Sequence, residues 1–142
     1  MAKVYYEDVA VGAEITPLVK EPTTRQLVRW AGASGDFNEV HYDKDVAQSL
    51  GLPGVIVHGL LKFQFLIQML TDWIGVDGTL QKVSCRYRGM DFPGDTITCK
   101  GTVVNKFVDG DQHCLECEIT VENQRGEQTT PGRAIVAVPS RG

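Results

Sequence analysis

A chain of 142 residues with 14 Lys and Arg against 18 Asp and Glu, a formal net charge of −4 and 42% hydrophobic residues, has the makeup of one globular domain. That balance supplies no basic field for a nucleic-acid backbone, so neither DNA nor RNA is an expected partner. The opening Met1–Asp8 lacks the basic-then-apolar pattern of a secretory leader, and the expectation is a single domain over residues 1–142 in the cytoplasm.

After an extended opening, Thr23 to Ala33 starts with two threonines of the capping type and carries Leu27, Val28, Trp30 and Ala31, which predicts a short amphipathic helix. From Ala31 to Val40 the chain fills with Gly32, Ser34, Gly35, Asp36 and Asn38, residues that resist helix propagation and predict a polar loop. A second short helix is predicted from Asp43 to Ser49, broken by Gly51, Pro53 and Gly54. Gly59 to Ile74 then places apolar residues nearly all round a helical wheel, which predicts a buried core helix about 24 Å long. Lys62, Gln64, Gln68 and Asp72 interrupt a run already too short for a membrane span, so no membrane partner is expected.

The remainder predicts antiparallel strands. Val83, Cys85 and Tyr87 alternate with Lys82, Ser84, Arg86 and Arg88, and beyond Pro93-Gly94 the residues Ile97, Cys99, Gly101 and Val103 alternate with Thr96, Thr98, Lys100 and Thr102. Turns at Asp109-Gly110 and Arg125-Gly126 divide two further strands, the last ending near Val138. A sheet with one apolar face and a helix apolar all round give an α+β fold, the antiparallel sheet wrapped around a long central helix. Four cysteines include Cys114-Leu-Glu-Cys117, but that pair lies within a strand pattern whose alternation puts Cys114 and Cys117 on opposite faces. With no second ligand pair and no helix opening behind it, neither zinc nor thioredoxin-like chemistry is expected.

Chemistry narrows to few residues, because only three histidines are present. His113 opens a strand beside a turn and reads as structural. His41 lies five residues after Asp36, and the two converge only if the chain between them bends, which Asn38 suits. A carboxylate and an imidazole near an apolar core can share a water, one orienting and deprotonating it and the other passing a proton to substrate. Spacing alone does not settle this, since it also fits Asp36 capping the next helix and His41 packing beside the core. At His58-Gly59 the long helix begins, where unpaired N–H groups carry partial positive charge and a residue without a side chain can aim its N–H at an oxyanion. A helix start satisfied by loop groups or water fits that position as well.

Taken as a set, Ser34-Gly35-Asp36-Phe37-Asn38-Glu39-Val40-His41 followed by Val57-His58-Gly59-Leu60 resembles the signature of the MaoC-like, (R)-specific enoyl-thioester hydratases, and Phe92-Pro93-Gly94-Asp95 looks like that family's turn between strands. The resemblance runs over the whole chain and implies a hot-dog domain in which Asp36 and His41 activate the water, the Gly59 N–H polarises the thioester carbonyl, and Asn38 and His58 serve substrate binding. It implies reversible conversion of a trans-2-enoyl thioester into an (R)-3-hydroxyacyl thioester, with coenzyme A or a carrier protein as the thioester's own carrier, no metal and no other cofactor. A homodimer or higher hot-dog oligomer is implied too. One departure is Glu39, which stands where the family pattern has Pro; turned inward it would favour protonation of Asp36 and His41, and turned to water it would do little. Two rival readings remain, a hot-dog acyl-CoA thioesterase and a subunit of a hetero-oligomeric dehydratase.

Overall fold

The alternation of the C-terminal half becomes a curled antiparallel sheet, and the apolar helix that precedes it packs on one face. In the computed structural model, which describes residues 3–142, the strands are β1 (Leu18–Lys20), β2 (Thr79–Cys85), β3 (Ile97–Asp109), β4 (Gln112–Glu122) and β5 (Gln128–Val138). They are ordered β1-β3-β4-β5-β2, every neighbouring pair antiparallel. Met1 and Ala2, part of the opening inspected for a leader, lie outside the described residues. Helices α1 (Thr24–Ser34), α2 (Lys44–Ser49) and α3 (Gly59–Ile74) precede β2, and a 3-10 turn, Glu39–His41, sits between α1 and α2.

Burial follows the predicted alternation. Ile97, Cys99, Gly101 and Val103 of β3 and Leu115, Cys117, Ile119 and Val121 of β4 are buried, and they meet Leu61, Phe65, Leu66, Met69, Leu70 and Ile74 of α3 in one core. At about 25 cal/mol per Å² of apolar surface, side chains of this size contribute about 1.5–3 kcal/mol each when fully buried. The helix is less enclosed than its composition predicts: the sheet covers one side, while Leu60, Gln64 and Gln68 are exposed and Phe63 and Ile67 only half-buried. Among the described residues no helix is long and apolar enough to cross a membrane.

Two local expectations shift. Helix α1 runs on through Gly32 to Ser34 before Gly35, at φ 79°, ends it in the left-handed conformation that glycine adopts without steric cost. Its start is as predicted, with the Gln26 N–H donating to Thr23 Oγ1 at 3.1 Å. Strand β2 stops at Cys85, short of the predicted alternation to Arg88, although the N–H groups of Arg86 and Arg88 still donate to the carbonyls of Pro131 and Thr129. All four cysteines are free, and burial pushes the thiols of Cys99 and Cys117 up to about 12, leaving them protonated and unreactive.

Candidate active site

The segment after α1 is a ladder of short polar side chains folded back on their own backbone. The Asp36 N–H donates to Ser34 Oγ, the Asn38 N–H to Asp36 Oδ1 and the Val40 N–H to Asn38 Oδ1, each at 3.2 Å and each two residues apart. Such bonds replace helix propagation with a tight bend. Asn38 then caps the 3-10 turn that carries His41. One oxygen of Asp36 is therefore tied to the loop, and Oδ2 is left to face His41 Nε2 across 3.7 Å. Asp36 and His41 converge as the bent-loop reading required.

A separation of 3.7 Å is too long for a direct hydrogen bond, yet one water oxygen can lie about 2.8 Å from both atoms. The imidazole is oriented from behind, its Nδ1 lying 2.8 Å from the carbonyl oxygen of Ile56. A carbonyl only accepts, so Nδ1 carries the proton and Nε2 presents its lone pair to the gap. The Asp36 side chain is 38% exposed and that of His41 10%, which opens the pair to solvent from the carboxylate side.

His58 has no exposed surface, and its ring stacks on His41 with centroids 3.8 Å apart and planes 20° from parallel. Its Nε2 lies 3.3 Å from the Asp36 carbonyl oxygen, so this one side chain touches both partners of the pair. Burial, and secondarily the neighbouring His41, hold the His58 imidazole below its ordinary pKa, which keeps it neutral beside His41. Asp36, His41 and His58 offer ligand-type atoms within 4.8 Å of one another.

Gly59 follows as the first residue of α3, and the His58 side chain does not cap its N–H. A methyl group at Gly59 would lie 2.9 Å from Tyr87 Cε1, so the Tyr87 ring rests against this glycine and leaves no room for a larger residue without displacement. Asn38 is exposed and its Oδ1 is engaged by the loop, while Glu39, the residue in the place of Pro, is exposed to water rather than turned towards the pair. A cleft of about 400 Å³, lined by Tyr42, Pro53, Val55 and Phe92 among others, opens between the chain neighbours of His41 and Ile56.

A profile of the MaoC like domain matches residues 9–124 of the sequence. The chain belongs to the MaoC-like family. The (R)-specific enoyl-CoA hydratase of Rhodospirillum rubrum is 28% identical over 139 residues, covering 97% of this chain and 94% of that one. Among solved structures, the unliganded R-hydratase PhaJ1 of Pseudomonas aeruginosa superposes with a TM-score of 0.88 at 23% identity, over 98% of this chain and 88% of the other. The ChsH1-ChsH2 complex of Mycobacterium tuberculosis contains a chain with a TM-score of 0.80 at 24% identity, over 91% of this chain and 98% of its own. The fold is the hot dog of these MaoC-like proteins.

Sequence reasoning missed one feature of this MaoC-like chain. Lys62, read as a polar interruption of the helix, is 2% exposed, its Nζ 3.1 Å from Asp91 Oδ2 and 3.0 Å from the Gly89 carbonyl oxygen. Asp91 is wholly buried and also accepts from Thr129 Oγ1 at 2.6 Å. The signal was the register of Lys62 with the buried Leu66 and Met69, four and seven residues on along the same helix face.

Proposed function

We propose that this chain reversibly hydrates trans-2-enoyl thioesters of coenzyme A or acyl-carrier protein to (R)-3-hydroxyacyl thioesters, with water activated by Asp36 and His41. The named relatives are hydro-lyases and the chain belongs to their family; the (R) outcome follows the name of the Rhodospirillum rubrum enzyme. The observation that carries the reading is the 3.7 Å gap between Asp36 Oδ2 and His41 Nε2, with the tautomer set from behind by Ile56. A water held there directs one O–H to the carboxylate and the other to the imidazole lone pair.

As the water oxygen bonds to the β carbon, His41 Nε2 takes its proton and the alkene electron pair moves through the α carbon onto the thioester oxygen. The resulting enolate collapses when the imidazolium returns that proton to the α carbon, so one water is added and His41 is restored. Gly59 presents an uncapped N–H to the thioester oxygen at the moment it carries charge, and removing one such donor from an enzyme costs about 3–4 kcal/mol of barrier. The acid–base step calls on no cofactor beyond the carrier of the acyl group, and the apolar cleft beside Tyr42 and Val55 suits a hydrocarbon tail.

Incubating the purified protein with trans-2-butenoyl-CoA, and resolving the product by chiral chromatography, is expected to give the (R)-3-hydroxy thioester. Free thiol released from saturated acyl-CoA without hydration replaces this reading with the thioesterase. A second reading, a subunit of a hetero-oligomeric hydratase, is favoured by the likeness to a chain of the ChsH1-ChsH2 complex. It predicts activity only with a co-purified partner, whereas the first predicts an active homo-oligomer by size-exclusion chromatography.

A further inference from the structure

We propose that Lys62, Asp91 and Thr129 are positioning residues which fix the start of α3, and with it the Gly59 N–H, relative to the water pair. The inference rests on the hydratase reading for its kinetic consequence and on geometry for the rest. Residues 57–62 are fastened to residues 87–91 on both sides of Gly59. Before it, the Val57 N–H donates to the Asp91 carbonyl at 2.8 Å. After it, the Lys62 ammonium donates to the Gly89 carbonyl and to Asp91 Oδ2. Between the two anchors the Tyr87 ring lies against Gly59 itself.

Residues 87–91 are in turn held by β5. The N–H groups of Arg88 and Gly89 donate to the Thr129 carbonyl at 2.9 and 3.0 Å, and the Thr129 hydroxyl donates to Asp91 Oδ2. The sheet thus reaches the helix start through a chain of directed bonds. Stability alone is a weak reason for such an arrangement, since two buried charges lose their hydration and well-packed apolar residues often serve as well or better. Asp91 Oδ1 is moreover buried without a hydrogen-bond partner among the described residues, an added cost. What a charged, forked set of bonds supplies and apolar packing does not is direction, and an oxyanion donor depends on placement to within a fraction of an ångström.

The test compares the full-length wild type with Asp91→Asn, Thr129→Val and the apolar double variant Lys62→Met/Asp91→Leu. Each is checked for folding by circular dichroism, then assayed for trans-2-butenoyl-CoA hydration and for hydrogen exchange by mass spectrometry. Folded Asp91→Asn and the double variant are expected to lose kcat on the order of 10²-fold with KM within about twofold of wild type. Thr129→Val, which removes the hydroxyl bond to Asp91 and leaves both charged groups in place, is the mildest of the three, is expected to fold, and is expected to lose about fivefold. Exchange is expected to quicken at residues 57–62 and not in β3 or β4. A folded variant with wild-type kcat and unchanged exchange at 57–62 overturns the proposal, as does a rise in KM with kcat intact. Should the wild type hydrate no enoyl thioester, the functional reading falls, and the exchange comparison alone decides whether these residues hold the helix start.

Discussion

Two carboxylates stand close to the start of α3 and meet their cationic or basic partners in opposite ways. Asp91 is buried and in contact with Lys62 at 3.1 Å, whereas Asp36 is 38% exposed and stops 3.7 Å short of His41. The first pair is closed, its ammonium bonded to a carboxylate and a carbonyl. The second has one carboxylate oxygen and one imidazole nitrogen left unspent and facing each other. Charged groups in direct contact and shut away from solvent hold a shape but cannot reach a substrate, and groups held just apart by a rigid frame at an open edge can act on whatever enters between them. The difference separates anchorage from chemistry within one small region.

The sharpest way to break that comparison is to neutralise the open pair. Asp36→Asn and His41→Gln are each expected to lower enoyl-thioester hydration by about 10²–10⁴-fold, the usual worth of a positioned acid or base. Because Asp36 is part-exposed and keeps a loop-bonding oxygen as Asn, the thermal midpoint of Asp36→Asn should stay close to wild type. Equal losses of rate and stability would place Asp36 with the anchors instead.

Cutting the closed pair should do the reverse first. Lys62→Met leaves a wholly buried carboxylate without its cation, and breaking a buried pair from one side destabilises by about 3–5 kcal/mol. Urea denaturation followed by circular dichroism measures this directly. A loss under about 1 kcal/mol would mean the pair is solvated like a surface salt bridge.

How much of each pair was legible follows from its range along the chain. The bend that unites Asp36 with His41 is written locally, since Ser34, Asp36 and Asn38 recur every second residue and each accepts from the backbone two positions on. Spacing alone still left it open whether the two side chains meet, because that also needs the Ile56 carbonyl, fifteen residues away, to set the imidazole. Helix α3 and the alternation of β3 were readable because burial imposes a period on each. Lys62 and Asp91 lie 29 residues apart, with β2 intervening, and no local period couples a lysine in an apolar helix to an aspartate before a turn. The helix read over Thr23 to Ala33 ends within one residue of α1, but the polar loop was read as opening at Ala31, because propensity at Gly32 argued for a stop that packing of Leu27 and Ala31 overrode.

His58 sharpens the comparison at intermediate scale, because it is buried like the anchors yet stacked on the open pair. Its folded-state pKa lies below the ordinary 6.5, so the unfolded chain binds the proton first as pH falls. The stability it contributes is complete above about pH 6.5 and is lost as the pH drops through the depressed value. Urea midpoints should therefore decline just below pH 6.5, ahead of the window in which carboxylates titrate. His58→Gln should flatten that part of the profile. An unchanged slope in the variant would remove His58 as the source of the acid sensitivity.

The smallest expected effect concerns the frame of the open pair. Glu39 is exposed, opens the 3-10 turn and follows Asn38 at φ −60° and ψ 126°, an extended conformation that a following proline permits. The first position of such a turn needs no N–H for its internal bonds, so Glu39→Pro removes no backbone hydrogen bond among the described residues and restricts only the unfolded chain. It should stabilise by about 0.4–1 kcal/mol, measured as a rise in the denaturation midpoint. The Glu39 side chain faces water, so the pH profile of hydration should be the same with Pro in its place. A profile displaced to lower pH in Glu39→Pro would show that the carboxylate does reach the pair in solution and favours its protonated forms, and the open pair would then have a third charged member.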